Sequence, residues 1–206
     1  MFGGAWLDFL SGGLGEDALA GRPGDDSLDG GPGADTLRGG RGFDSVEYAS
    51  RVKAVRIDFD GRRNDGERGE ADTISADVEG AVGGAGDDLL IGDRKRNVLA
   101  GSGGDDTITG RAGPDGLHGG AGDDRVRGGE GRDLVEGASG DDLLVGGRGY
   151  DALLGEPGRD RILARDRAYD AVEGGPGRDR GCVDRGLDRV QEVERLCELR
   201  PGQLAG

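Results

Sequence analysis

The sequence is short of what most globular domains use to build a core or a catalytic site. Aromatic residues make up 4% of its 206 residues, and it holds one Trp, one Met, one His, two Cys and only two lysines, Lys53 and Lys95. A single His and two cysteines close to the C-terminus supply too little for a Ser-His-Asp device or a zinc site of nitrogen and sulfur ligands. No apolar run is long enough to span a bilayer. The opening MFGGAWLDFL has no basic residue and only a short apolar stretch, so it does not read as a signal peptide; a trimmed start and a different export route both remain open. A formal net charge of −15 disfavours nucleic acid as a partner. With 47 Gly and 6 Pro, the composition alone would read as disorder.

What the chain does have is a period. Thirteen times it repeats a nine-residue frame with Gly at position one, Asp at six and an aliphatic at eight, as in GGLGEDALA (12–20), GGPGADTLR (30–38), GGAGDDRVR (119–127) and GGEGRDLVE (128–136). The frames fall in two blocks, 12–47 and 83–163. Position four is Gly except at Lys95, and position six is Asp except at Asn97. Self-similarity at a fixed period is the mark of a solenoid and takes precedence over local propensity.

Each position has a physical task. The Gly-rich half supplies positive φ and close approach, and so makes a turn. The remaining x-aliphatic-x triplet is too short for a helix and suits a very short strand, position eight inward and seven and nine outward. Two turn–strand units bring the chain back to its starting side, so eighteen residues make one rung and each loop stacks on the loop two frames away. The position-six carboxylates then form columns.

Those columns dictate a ligand. Stacked strands lie about 4.8 Å apart, and two carboxylates at that distance repel by about 1 kcal/mol in water and by several times more in a drier setting. A buried Leu or Val returns about 1.5–3 kcal/mol, against a backbone ordering cost of about 1–2 kcal/mol for each of nine residues. A cation must sit between the acids. A hard ion that takes six or more carboxylate and carbonyl oxygens in an irregular cage is calcium; magnesium wants a tighter octahedron and zinc wants nitrogen or sulfur.

These thirteen frames resemble the RTX, or haemolysin-type, calcium-binding nonapeptide repeats. The resemblance implies an all-β fold, a parallel β-roll of stacked 18-residue rungs, with several calcium ions held between successive loops by carboxylates and turn carbonyls. Carried over position by position, it assigns the metal ligands to Asp17, Asp26, Asp35, Asp44, Asp88, Asp106, Asp115, Asp124, Asp133, Asp142, Asp151 and Asp160. Asn97, in the loop GDRKRN with Arg94, Lys95 and Arg96, offers no charge, and the site it shares with Asp115 is expected to be weak or empty. The family also implies secretion from a bacterium, and its rolls often accompany a protease, lipase or toxin domain. The expected function is therefore calcium binding by a secreted repeat protein whose folding is coupled to calcium; the alternative is the calcium-dependent module of a larger extracellular enzyme, toxin or adhesin. The excess of Arg over Lys agrees with a GC-rich bacterial genome.

Outside the frames the expectations are as follows. The roll spans 1–182 and a C-terminal cap and tail span 183–206. GGAWLDFLS (3–11) is a worn copy whose Trp6, Phe9 and Leu10 cap the first rung. The insert 48–82 continues the roll with longer strands at VKAVRIDF (52–59) and DTISADVEGAV (72–82), joined by a polar loop at 60–72. After a one-residue slip at 164–173 the roll ends in GGPGRDRGC (174–182). Leu187, Val190, Val193 and Leu196 recur at three-residue spacing and suit a short capping helix. Cys182 and Cys197 fit either a disulfide or two packed thiols. His118 sits at an outward position nine, where a solvated side chain is expected, and every Asp–Asp pair repeats the metal frame, so no catalytic constellation is left and no enzyme is expected. Outward Leu89, Ile91, Leu143 and Val145 could form a partner patch, interrupted by Arg125 and Arg127; no protein partner can be named.

Overall fold

A computed structural model describes residues 1–184 and 187–197. The first block forms β1 (Phe9–Ser11), β2 (Ala18–Pro23), β3 (Ser27–Asp29), β4 (Thr36–Arg41) and β5 (Ser45–Glu47). The insert forms β6 (Val55–Asp58), β7 (Arg63–Glu67), β8 (Asp72–Ile74) and β9 (Gly80–Val82). The second block supplies β10 (Leu89–Ile91), β11 (Val98–Gly103), β12 (Thr107–Ala112), β13 (Gly116–Ala121), β14 (Arg125–Gly131), β15 (Leu134–Ser139), β16 (Leu143–Gly149), β17 (Ala152–Leu154) and β18 (Arg161–Ala164). Four more strands follow: β19 (Ala171–Glu173), β20 (Arg180–Val183), β21 (Arg189–Gln191) and β22 (Arg195–Leu196).

The strands alternate between two sheets, so that consecutive frames lie on opposite walls. One sheet has ten strands in the order β1-β3-β5-β9-β11-β13-β15-β17-β19-β21; the other has twelve, β2-β4-β8-β7-β6-β10-β12-β14-β16-β18-β20-β22. Within the blocks every pairing is parallel with an eighteen-residue offset, for example Leu10 on Leu28, Leu99 on Leu117 and Val126 on Leu144. This is the parallel β-roll that the spacing requires. The extra residue in 164–170 raises the offset to nineteen, setting Val172 on Leu153 and Gly181 on Ile162.

The core is a single file of position-eight aliphatics from both walls, including Leu19, Leu37, Leu90, Leu117, Leu144 and Ile162, all of them buried. Burial at about 1.5–3 kcal/mol per side chain is repeated at every frame, and the flanking positions seven and nine stay outside. Outward columns run across β10, β12, β14 and β16, where Leu89, Thr107, Arg125 and Leu143 lie side by side. The arginines thus separate the outward aliphatics, and no continuous apolar patch forms there. Among the described residues no helix is long and apolar enough to cross a membrane.

The insert departs from the expectation. It does continue the roll, but its strands are three to five residues long, not longer than the rest, and β7 occupies the segment expected to be a loop. After β5 the chain runs ahead to lay β6 beside β10, turns back through antiparallel β7, and places β8 parallel to β4 before β9 rejoins the opposite wall between β5 and β11. The twelve-stranded wall therefore gains three strands where its partner gains one. The wider interior is filled by Tyr48 and Phe59, both buried, a use of bulk that the rest of the core does not need.

Both ends differ as well. Trp6 and Phe9 are exposed, 85% and 78%, and of the expected first-rung cap only Leu10 is buried. The backbone of Trp6, not its ring, does the stacking, against Gly24. At the other end the roll does not stop at 182 and no helix forms over the described part of 183–197: β21 and β22 add two more strands. The three-residue spacing has another use. Val190 continues the inward file beside Val172, while Val193 and Leu196 fill the space left by the missing side chain of Gly181. A disulfide joins Cys182 to Cys197 across this last rung.

Candidate metal centres

The loops between strands are set by two steric demands. At frame position four the backbone sits at positive φ in most frames and its neighbour is backbone: a Cβ on Gly33 (φ +158°) would lie 1.7 Å from the carbonyl oxygen of Gly15. At position one the demand is the acid itself, since a Cβ on Gly101 would lie 2.0 Å from Asp106 Oδ2 and 2.6 Å from the Gly119 carbonyl oxygen. The glycine thus makes room for a carboxylate of its own frame to meet a carbonyl of the next rung. Position two is less strict, and Arg22, Ser102, Arg111, Ala138 and Glu156 all hold positive φ there.

The carboxylates stack in two ladders, one on each side of the roll. In each, a main-chain N–H donates to Oδ1 of the acid one rung on: Asp17 to Asp35 at 2.8 Å, Asp26 to Asp44 at 2.9 Å, Asp106 to Asp124 at 2.7 Å and Asp115 to Asp133 at 2.9 Å. One ladder runs Asp8, Asp26, Asp44, Glu79, is bridged from there by Asn97 Nδ2 donating to the Glu79 carbonyl oxygen, and continues Asn97, Asp115, Asp133, Asp151, Asp170 and Asp188. The other begins Asp17, Asp35, Asp72, is crossed by the insert, and resumes Asp88, Asp106, Asp124, Asp142, Asp160, Asp179, Glu194. All twelve residues expected as ligands lie in these ladders.

The second oxygen carries the chemistry. Oδ2 of twelve ladder aspartates is buried with no hydrogen-bond partner: Asp26, Asp35, Asp44, Asp106, Asp115, Asp124, Asp133, Asp142, Asp151, Asp160, Asp170 and Asp179. A buried acceptor left unpaired costs about 1–3 kcal/mol, and more when charged, so an array of them needs a positive partner. Removal from water is the main effect on these acids, with an N–H bond opposing it and nearby carboxylates adding to it. It pushes Asp44, Asp124, Asp142, Asp151 and Asp170 up to about 6, and Asp106, Asp115 and Asp160 up to about 7.

The donor set fits calcium. It consists of carboxylate and carbonyl oxygens, and no group of three or more His, Cys, Asp or Glu side chains gathers to hold a metal among the described residues. An ion between loops would therefore draw few side chains and complete its shell from carbonyls, which a large hard cation accepts and zinc does not. Two of the expected ligands stand apart. Asp88 spends both oxygens on N–H groups, of Val55 at 2.8 Å and Gly84 at 2.7 Å, and Asp17 heads its ladder only half-buried.

Seven ladder members escaped the frame: Asp8, Asp72, Glu79, Asp170, Asp179, Asp188 and Glu194. Asp8 and Asp179 sit at position six of the worn copies 3–11 and 174–182, and Asp170 precedes β19 once a ten-residue frame is allowed. Asp72 and Glu79 carry no such signal. Away from the ladders, His118 Nδ1 lies 3.2 Å from Glu136 Oε2 on the exposed wall, beside no nucleophile.

No curated protein matches the sequence. A solved structure to which the chain is similar is an extracellular lipase, LipA, from Serratia marcescens, at 23% identity and a TM-score of 0.33. The alignment covers 75% of this chain and 32% of the lipase, so the chain spans about a third of that protein's length. The RTX calcium-binding nonapeptide repeat matches in four copies, over residues 8–46, 82–117, 118–153 and 136–166. Those matches take in more than half of the sequence and leave out the insert and the last rungs, where the ladders are interrupted or end: the chain belongs to the RTX calcium-binding nonapeptide repeat family.

Proposed function

We propose that the protein is a calcium-folded roll that works outside the bacterial cell as a binding and structural module, with no catalytic role of its own. The observation that carries this reading is the set of twelve buried Oδ2 atoms without a partner. In the absence of a divalent ion those oxygens oppose folding; with an ion between loops they join one rung to the next. Winding of the chain and uptake of metal are then one equilibrium, because a site that does not exist in the unfolded chain returns its binding energy as folding energy. The ligands are carried by Asp26, Asp35, Asp44, Asp106, Asp115, Asp124, Asp133, Asp142, Asp151 and Asp160 together with Asp170 and Asp179. Asp17 and Asp88 are at most accessory.

An extracellular setting agrees with two features. Calcium modules of this type bind at about 0.1–1 mM, a level found outside cells, and the Cys182–Cys197 disulfide persists in an oxidising compartment. Far-ultraviolet circular dichroism in chelator and then in millimolar calcium tests the coupling. The expected result is a coil-like spectrum that turns to β on adding calcium and not magnesium; the same β spectrum in chelator would refute it.

A second reading, a calcium-dependent module within a larger secreted protein, is favoured by one feature. Phe2, Trp6, Leu7, Phe9 and Leu14 are all exposed at one end of the roll, where another domain would pack. Trp6 is the sole tryptophan, so its emission in the calcium-bound chain reports directly; a shift to shorter wavelength when a neighbouring domain is fused or added supports this reading, and an unchanged water-exposed spectrum counts against it.

A further inference from the structure

The ladders are interrupted at the insert, and there the chain replaces what is missing. On one side, Asp72 takes the place of the next rung after Asp35 and accepts its N–H at 2.8 Å through Oδ1. Its Oδ2 is not left bare: it accepts the Tyr48 hydroxyl at 2.8 Å. Arg51, 8% exposed, lies over the Tyr48 ring at 5.9 Å, donates from its guanidinium to the carbonyl oxygen of Gly31 in the facing loop and lies 3.7 Å from the Glu70 carboxylate.

On the other side, Glu79 follows Asp44 and accepts its N–H at 3.2 Å through Oε2. Its Oε1 lies 3.4 Å from Lys95 Nζ, which also donates to the Ala76 carbonyl oxygen at 2.6 Å. In the same gap Asn97 Oδ1 accepts the Asp93 N–H at 2.8 Å, and Asn97 Nδ2 donates to the Glu79 carbonyl oxygen at 3.4 Å. The cationic loop therefore neutralises the gap before it, between 75–79 and 92–97. On its far side Asp115 keeps a bare Oδ2, as in the rest of the ladder.

We propose that Arg51 and Lys95 are resident cations. At the two interruptions they take the part that calcium plays elsewhere, so that the central rungs, from β4 to β11, close without metal and the two arms wind outward from them when calcium arrives. This rests on the calcium reading given above and says where that reading stops. The contrast is in the side-chain oxygens: Asp72 Oδ2, Glu79 Oε1, Asp88 Oδ2 and the one oxygen of Asn97 all have a donor or cation from the chain, whereas Oδ2 of the ladder aspartates on either side does not. Two acids of the insert do keep a buried oxygen without a hydrogen-bond partner: Asp58, whose Oδ1 lies 3.6 Å from the Arg111 guanidinium, and Asp77.

Two measurements on the full chain test this. Native mass spectrometry counts calcium on the wild type and on a Lys95→Gly, Asn97→Asp double variant, which restores the frame at the second interruption. The variant is expected to hold one ion more. Hydrogen exchange of the wild type in chelator is read in parallel; amides of β6, β8 and β9 are expected to exchange at least about tenfold more slowly than those of β13 to β17, because local stability is set by local contacts. An unchanged ion count beside a well-loaded wild type, or exchange that is uniform along the metal-free chain, overturns the inference while leaving the calcium reading intact. A wild type that takes up no calcium sinks both.

Discussion

At the scale of the single residue, two glycines separate space from conformation. Gly101→Ala would drive a methyl group into Asp106 Oδ2 and the Gly119 carbonyl although its φ is ordinary, whereas a Cβ on Gly116 meets nothing closer than Val98 Cγ2 at 3.9 Å. Gly101→Ala is expected to raise the calcium midpoint of folding several-fold, and Gly116→Ala to leave it nearly unchanged, as read by circular dichroism titrations. Asp124→Asn keeps the shape of the side chain and removes its charge; it is expected to cost one bound ion and about 1–3 kcal/mol of stability at saturating calcium, measured by thermal melting.

The sign of the pH effect follows from the same carboxylates. Asp106, Asp115 and Asp160 ionise near 7 in the metal-free fold, against an ordinary value of 3.8. A raised carboxylate binds its proton more tightly in the folded state, so its contribution to stability is present at low pH and lost as pH rises from about 4 to about 7. The chelated chain is expected to gain β structure between pH 7.5 and pH 5. Over the same interval protons compete with the metal, so the calcium midpoint should rise on acidification. A midpoint that does not move with pH would contradict the burial of these acids.

At the scale of the element, the regular frames were legible because one pattern fixes strand, turn and ligand together: the aliphatic at eight, the Asp at six and the Gly at one constrain each other in space. The insert was not legible to the same degree. Period two at Val55, Ile57 and Phe59 marks β6, but β7, with Asn64, Asp65 and Gly66 in its middle, has the composition of a loop. Tertiary context makes it a strand: its partners on both sides supply the hydrogen bonds, and Asp65 accepts the N–H groups of Asp58 and Ile74. The helix expected near the C-terminus failed for a related reason, since Val190, Val193 and Leu196 serve the file of the roll and the gap over Gly181, and a three-residue spacing alone cannot tell these from a helical face. Removal of the disulfide by Cys182→Ser with Cys197→Ser is expected to loosen β20 to β22 by about 3 kcal/mol, seen as faster amide exchange there and unchanged exchange in β12 to β15.

At the scale of the whole molecule, the metal ladders and the negative charge are one property. Each divalent ion taken up offsets part of the net charge of −15, and the repulsion it removes otherwise expands the chain. The unequal walls carry a further consequence. Two more strands on one side than the other, at about 4.8 Å each, amount to about 10 Å of surplus length along that wall. A ribbon lengthened on one face curves towards the shorter one, so the expected shape is an elbow whose corner is the insert. Small-angle scattering of the loaded protein should therefore give the profile of a bent rod, and deletion of 60–71, which removes β7 alone, should lessen the bend.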